Sequence, residues 1–152
     1  MYSVTRYHDI SCGHRVVGHE GKCRFLHGHN YRIHFTVKPD TLNVALDSVG
    51  RVLDFSVIKV LLCEWLEENW DHKMLIWCDD EAAIQLLTAE SVIEGEHLFK
   101  ESLVMVPFNP TAENMAAYLV NEVAPKLLTG TGCRLTACRI DETRKCSAEY
   151  YT

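Results

Sequence analysis

From Asn30 to Pro39 the chain alternates, with Tyr31, Ile33, Phe35 and Val37 on one side and mostly polar residues between them. A period of two marks a half-buried strand, and Pro39-Asp40 stops it. The opening run YSVTRYHDIS mixes β-branched and aromatic residues and predicts a partner strand. The segment RVLDFSVIKVLLCEWLEENW begins as a short strand and then changes rhythm at Asp54, a good N-cap. Val57, Leu61, Trp65 and Glu68 mark the border between an apolar and a polar stripe, so a helix is expected to end near Asn69. DDEAAIQLLTAE predicts a short helix and SLVMVPF a strand. A second long helix is expected after an N-cap at Thr111, with its stripe on Met115, Leu119 and Val123. CRLTACRIDE and SAEYY close the chain as an antiparallel hairpin. Two strands, two main helices and two strands predict an α+β domain, with helices on one face of an antiparallel sheet. At 152 residues the expectation is one domain, 1–152.

Composition narrows the class. The chain is 47% hydrophobic and 24% charged, ordinary for a globular protein, and no apolar run reaches the roughly 18 to 20 residues of a membrane helix. The N-terminus lacks the basic-then-apolar layout of a signal peptide. Seven cysteines, an odd count without a C-x-x-C pair, fit reduced thiols and a cytoplasmic location. A net charge of −6 argues against a nucleic-acid binder. Between His14 and His34, however, Arg15, Lys22, Arg24 and Arg32 face the single acid Glu20. That local excess suits a small anionic ligand, although a solvated loop has the same composition.

His27 and His29 form an H-x-H pair, and on an extended segment both imidazoles point to the same side. Imidazole suits Zn²⁺, and a third ligand could come from His8, His14, His19 or His34. His14 ends the first strand, which can pair antiparallel with the strand carrying His27 and His29. Cys23 leaves three alternatives open: fourth ligand of a closed Cys-His₃ site, general base beside an open one, or inert thiol. Asp71-His72, just past a helix end, is a candidate acid/base pair, and Glu142 a carboxylate able to receive two N–H donors from a heterocycle. Thr111 and Glu113 fit helix capping, and the other six cysteines fall on or beside apolar segments as small hydrophobes.

The segments CGHRV, GHEGKCRFLHGHNYRIHF, RVLDFSVIK, WDHKML, PFNPTAENMAAYL and RIDETRKCSAEYY run in order through nearly the whole chain. Together they resemble the 6-pyruvoyl-tetrahydropterin synthase / 6-carboxytetrahydropterin synthase family. The resemblance implies the tunnelling fold, in which a four-stranded antiparallel sheet with two main helices on one face joins others into a barrel by oligomerisation. The assembly would be a homohexamer, a dimer of trimers, with active sites between subunits. It further implies a Zn²⁺ cofactor on His14, His27 and His29, Cys23 as proton acceptor, Asp71 and His72 as a relay beside it, and Glu142 as pterin anchor. The implied substrate is 7,8-dihydroneopterin triphosphate, with Thr111, Glu113, Arg15, Lys22 and Arg24 as candidate contacts. Cys23, three residues and then His-Gly-His resembles the carboxy-forming branch of the queuosine pathway, which releases acetaldehyde and triphosphate. The pyruvoyl synthase is the alternative, and a non-catalytic zinc-stabilised module the remote one. Two departures stand out: ISCGH alters the approach to His14, and the span from Trp77 to Phe108 exceeds that of compact bacterial members.

Overall fold

The computed structural model describes residues 2–41, 46–90 and 97–152. Its sheet contains β1 (Val4–His14), β2 (His27–Pro39), β3 (Met74–Trp77), β4 (Leu103–Val106), β5 (Cys133–Asp141) and β6 (Ser147–Tyr151), in the order β4-β3-β1-β2-β5-β6. The four expected antiparallel strands pair as β1-β2, β2-β5 and β5-β6. The sheet is larger than expected, because β3 and β4 extend it by parallel pairing beside β1. The strand expected at RVLDF is absent. There Asp47 accepts from the Val49 and Arg51 amides, at 3.0 and 2.8 Å, and Arg51 also bridges to Asp54 at 2.6 Å. An aspartate that satisfies nearby amides favours a turn over a ladder.

Two long helices cover one face of the sheet. The first, α1 (55–69), runs from Phe55–Ile58 through a π-turn at Lys59–Cys63 to Glu64–Asn69. Asp54 caps it by accepting from the Ser56 amide at 2.8 Å. Its buried stripe is Ile58, Leu62, Cys63 and Leu66, while Val57, Leu61 and Trp65 are half-buried, as a border between faces requires. Between the long helices lie α2 (Glu81–Thr88) and α3 (Leu98–Ser102). The second long helix, α4 (112–127), comprises Ala112–Tyr118, a π-turn at Leu119–Val123 and Ala124–Leu127. Met115, Leu119 and Val123 are all buried.

These helices meet Ile10, Tyr31, Ile33, Phe35, Val37, Cys138 and Ile140 of the sheet in the main core. Trp70, 2% exposed, fills the space past the end of α1, edge-on to Trp65 at 5.4 Å and stacked on Tyr118 at 6.3 Å. Trp70→Ala is expected to lower stability by about 3–5 kcal/mol, read from the denaturant midpoint of the purified protein. A second, small cluster buries Ile76, Ala83 and Leu87 against Met74, Ile84 and Leu103.

Candidate functional site

Antiparallel register places His14 opposite His27 and Cys12 opposite His29. The three imidazoles therefore converge at one end of the sheet, each offering a nitrogen within 4.8 Å of the other two. His14 Nδ1 lies 2.7 Å from the Pro110 carbonyl, and His27 Nδ1 lies 2.7 Å from that of Phe25. A carbonyl can only accept, so both rings carry their proton on Nδ1 and turn the Nε2 lone pair inward. Those two Nε2 atoms are 3.1 Å apart. His29 Nε2 is buried without a hydrogen-bond partner. Facing lone pairs and an orphaned buried nitrogen repel or waste one another unless a cation lies among them, so the donor set fits a metal ion.

Protonation works against that arrangement. Burial pushes the His14 imidazole below its ordinary value of 6.5, with the neighbouring histidines adding to the effect against the pull of the Pro110 carbonyl and Glu142. His29 is lowered by burial as well, against the pull of Glu142, whose carboxylate lies 3.7 Å away. Both are neutral, ligand-ready rings at pH 7. With folded-state values depressed, the unfolded chain binds more protons below 6.5. The metal-free protein is therefore expected to lose stability as pH falls through about 6.5, before the carboxylates titrate. Thermal melts against pH check this, and a double His14→Ala/His29→Ala variant should flatten the slope in that window.

The other histidines are engaged elsewhere. His8 pairs with Glu67 at 2.9 Å, His19 Nδ1 accepts from the Gly21 amide at 2.8 Å, and His34 meets Asp141 at 2.9 Å on the sheet face opposite the helices. Cys23 sits on a short 3₁₀ turn, Lys22–Arg24, whose position is fixed by the Val16 amide donating to the Cys23 carbonyl at 2.8 Å. It stands outside the nitrogen cluster, yet borders the same cavity of about 300 Å³ as His14, Thr111, Glu113 and Glu142. Cys12, by contrast, is pushed up to about 12 by burial and then by Asp71, and is an inert core thiol.

Asp71 and His72 are clamped to β1. Asp71 Oδ1 accepts from the Ser11 amide at 2.9 Å, and the His72 amide donates to the Ser11 carbonyl at 2.7 Å. This holds His72 at a left-handed φ of 57°, uncommon for a residue with a side chain. Asp71 Oδ2 lies 2.9 Å from His72 Nδ1. Burial opposes ionisation of Asp71, but the Ser11 amide and His72 outweigh it and hold the carboxyl below its usual value. The pair borders a cavity of about 780 Å³ with Asp9, Ser11, Asn30 and Arg32, which adjoins the one bordered by Cys23 across Cys146 and Ser147.

The basic residues divide. Arg15 is ion-paired at 2.6 Å with Asp80, which is buried and caps α2 through the Ala83 amide. Arg24 donates to the Glu20 and Gly21 carbonyls and lies 4.4 Å over the Phe25 ring, while Lys22 is exposed. Thr111 accepts from the Asn114 amide, as its capping pattern predicts. Several contributors had no readable signal as site residues. Asn109 grips Val17 with paired bonds of 2.9 Å to its amide and carbonyl, Pro110 supplies the carbonyl for His14, and Cys146 borders the cavity from the β5-β6 turn. PFNPT had hinted at the first two only as part of a motif.

The profile of the 6-pyruvoyl tetrahydropterin synthase family matches residues 3–152. The chain belongs to this family. It is 35% identical to the 6-carboxy-5,6,7,8-tetrahydropterin synthase of Rickettsia typhi over 149 residues, 98% of this chain and 99% of that one. The enzyme of the same name from Rickettsia felis is 34% identical with the same coverage. An uncharacterised protein of Wolinella succinogenes shares the fold at a TM-score of 0.78 and 24% identity, covering 99% of this chain and 98% of that one. So does a Plasmodium vivax 6-pyruvoyltetrahydropterin synthase, at 0.67 and 15%, covering 100% and 99%. The chain is thus a pterin synthase of the tunnelling fold, with three histidines placed so that they could hold a metal ion. Among its described residues no helix is long and apolar enough to cross a membrane.

Proposed function

We propose that this pterin synthase converts 7,8-dihydroneopterin triphosphate to 6-carboxy-5,6,7,8-tetrahydropterin, releasing acetaldehyde and triphosphate, as a cytoplasmic step of 7-deazaguanine (queuosine) biosynthesis. The observation that carries this reading is one cavity bordered by His14 of the metal cluster, by Cys23 and by Glu142. His14, His27 and His29 would hold Zn²⁺, which when bound supplies Lewis acidity that acidifies neighbouring C–H bonds of the substrate side chain.

Cys23 takes a proton from that side chain, a role its place outside the nitrogen cluster favours over a fourth ligand. Glu142 receives two N–H donors from the pterin edge and orients the ring, with Thr111 and Glu113 at the rim. Arg15 is committed to Asp80, so Lys22 and Arg24 are the better placed of the three basic residues for the triphosphate. Asp71 and His72 border the adjoining cavity, and the reading assigns their relay to the site of a neighbouring copy in a homohexamer.

The relatives named for the carboxy product, together with the short Cys23-to-His27 spacing, favour it over the pyruvoyl alternative. The test is incubation of zinc-loaded protein with dihydroneopterin triphosphate and identification of products by mass. Acetaldehyde and the carboxylated ring are expected. A retained three-carbon side chain would assign the pyruvoyl reaction instead.

A further inference from the structure

We propose that Arg144 and Lys145, on the turn between β5 and β6, bind the triphosphate tail of the ligand that His72 serves. The inference rests on the reading of a triphosphate-bearing substrate and deepens it, giving the tail two cations beyond Lys22 and Arg24.

Both side chains border the cavity of about 780 Å³ that Asp71 and His72 also border. The acids around that cavity are already committed. Asp9 receives Arg32 through both oxygens, at 2.8 and 2.9 Å. Asp141 accepts from Arg139 Nε at 2.8 Å through one oxygen and meets His34 Nε2 at 2.9 Å through the other. Asp71 is divided in the same way between the Ser11 amide and His72. Arg32 and Arg139 are thus neutralised by the carboxylates they hold, and every carboxylate oxygen has its partner. Among the described residues Arg144 and Lys145 form no ion pair. On a chain of net charge −6, two adjacent unpaired cations lining a concavity set a local positive field.

The turn that carries them is pinned. The Thr143 hydroxyl accepts from the Lys145 and Cys146 amides at 3.1 and 3.2 Å, and the Glu142 amide donates to the Cys146 carbonyl at 3.0 Å. An ordered backbone lowers the cost of gathering two long side chains on one ligand. The Arg144 fork can take two oxygens of a phosphate, and the Lys145 ammonium adds a point charge beside it. A lone carboxylate would engage one of them, whereas a chain of phosphates spans both. His72 borders the same cavity, so a molecule that exchanges a proton with it brings its tail within reach of the turn.

The experiment titrates zinc-loaded, full-length protein with inorganic triphosphate in a calorimeter. Arg144→Gln/Lys145→Gln removes two charges from the turn, and Lys59→Gln/Lys126→Gln removes two exposed ones from the long helices. Triphosphate binding is expected to weaken about 10- to 100-fold in the turn variant and to stay within about threefold in the helix variant. KM for dihydroneopterin triphosphate should rise by a similar factor in the turn variant, with kcat within about threefold of wild type, as loss of uniform binding requires. Equal losses in the two variants would mean that net charge alone is being read, and overturn the proposal. It is overturned too if the turn variant binds as wild type does, or if the wild type binds no triphosphate. Weaker triphosphate binding with an unchanged KM would assign the turn to free polyphosphate and sink its role toward the substrate tail. Absence of turnover in the wild type would remove the proposed reaction. The proposal on the turn would still be decided, with calorimetric affinity for dihydroneopterin triphosphate read in place of KM.

Discussion

Cys23→Ala is expected to keep its zinc and lose turnover of dihydroneopterin triphosphate by about 10²- to 10⁴-fold, the usual worth of a positioned proton acceptor. The two halves of that result depend on different parts of the structure. Zinc retention follows from a ligand set that is complete in histidine: two Nε2 atoms fixed inward by backbone carbonyls and a third buried without a partner. Loss of turnover follows from the place of Cys23 on its 3₁₀ turn, bordering the cavity without joining the nitrogen cluster. Metal content by mass spectrometry and single-turnover kinetics check the two halves independently. A variant that drops its zinc would return Cys23 to the closed Cys-His₃ site and remove the general base from the mechanism.

His27→Ala should behave in the opposite way. It removes one of three ligands and leaves His14 and His29 as a two-nitrogen site. Metal affinity is expected to fall by at least about 10³-fold, since even outer-shell partners of a metal site are worth about 10- to 100-fold. Turnover should sink to background at ordinary zinc concentrations. The fold should survive, because His27 is only half-buried and the core lies further along β2. Chelator competition measures the affinity, and circular dichroism of the metal-free variant confirms the fold. Intact zinc binding in this variant would mean that the cluster in β1 and β2 is not the metal site.

Much of this was readable in advance where the pattern was periodic. Tyr31, Ile33, Phe35 and Val37 are all buried, as their alternation required, and the pairing of β1 with β2 delivered His14 to His27. Met74–Trp77 escaped notice because a central parallel strand, covered on both faces, is a short apolar run without alternation. RVLDF misled for the same reason, its apolar residues lying beside a turn governed by Asp47. The committed state of Arg15 could not be read locally, since its partner Asp80 lies far along the chain. Neither could the fastening of residues 71–72 to Ser11, which fixes where His72 stands.

The ion pair between Arg15 and Asp80 sets a limit on engineering. The segment after Trp77 looks dispensable, with a part in the second, small cluster and an edge strand, and would be the natural place to shorten the protein. Trimming it would remove the carboxylate that neutralises Arg15, next in sequence to His14. A miniaturised variant should therefore carry an uncharged residue at position 15 from the outset. Otherwise the cut would leave an uncompensated cation beside a ring meant to hold another one.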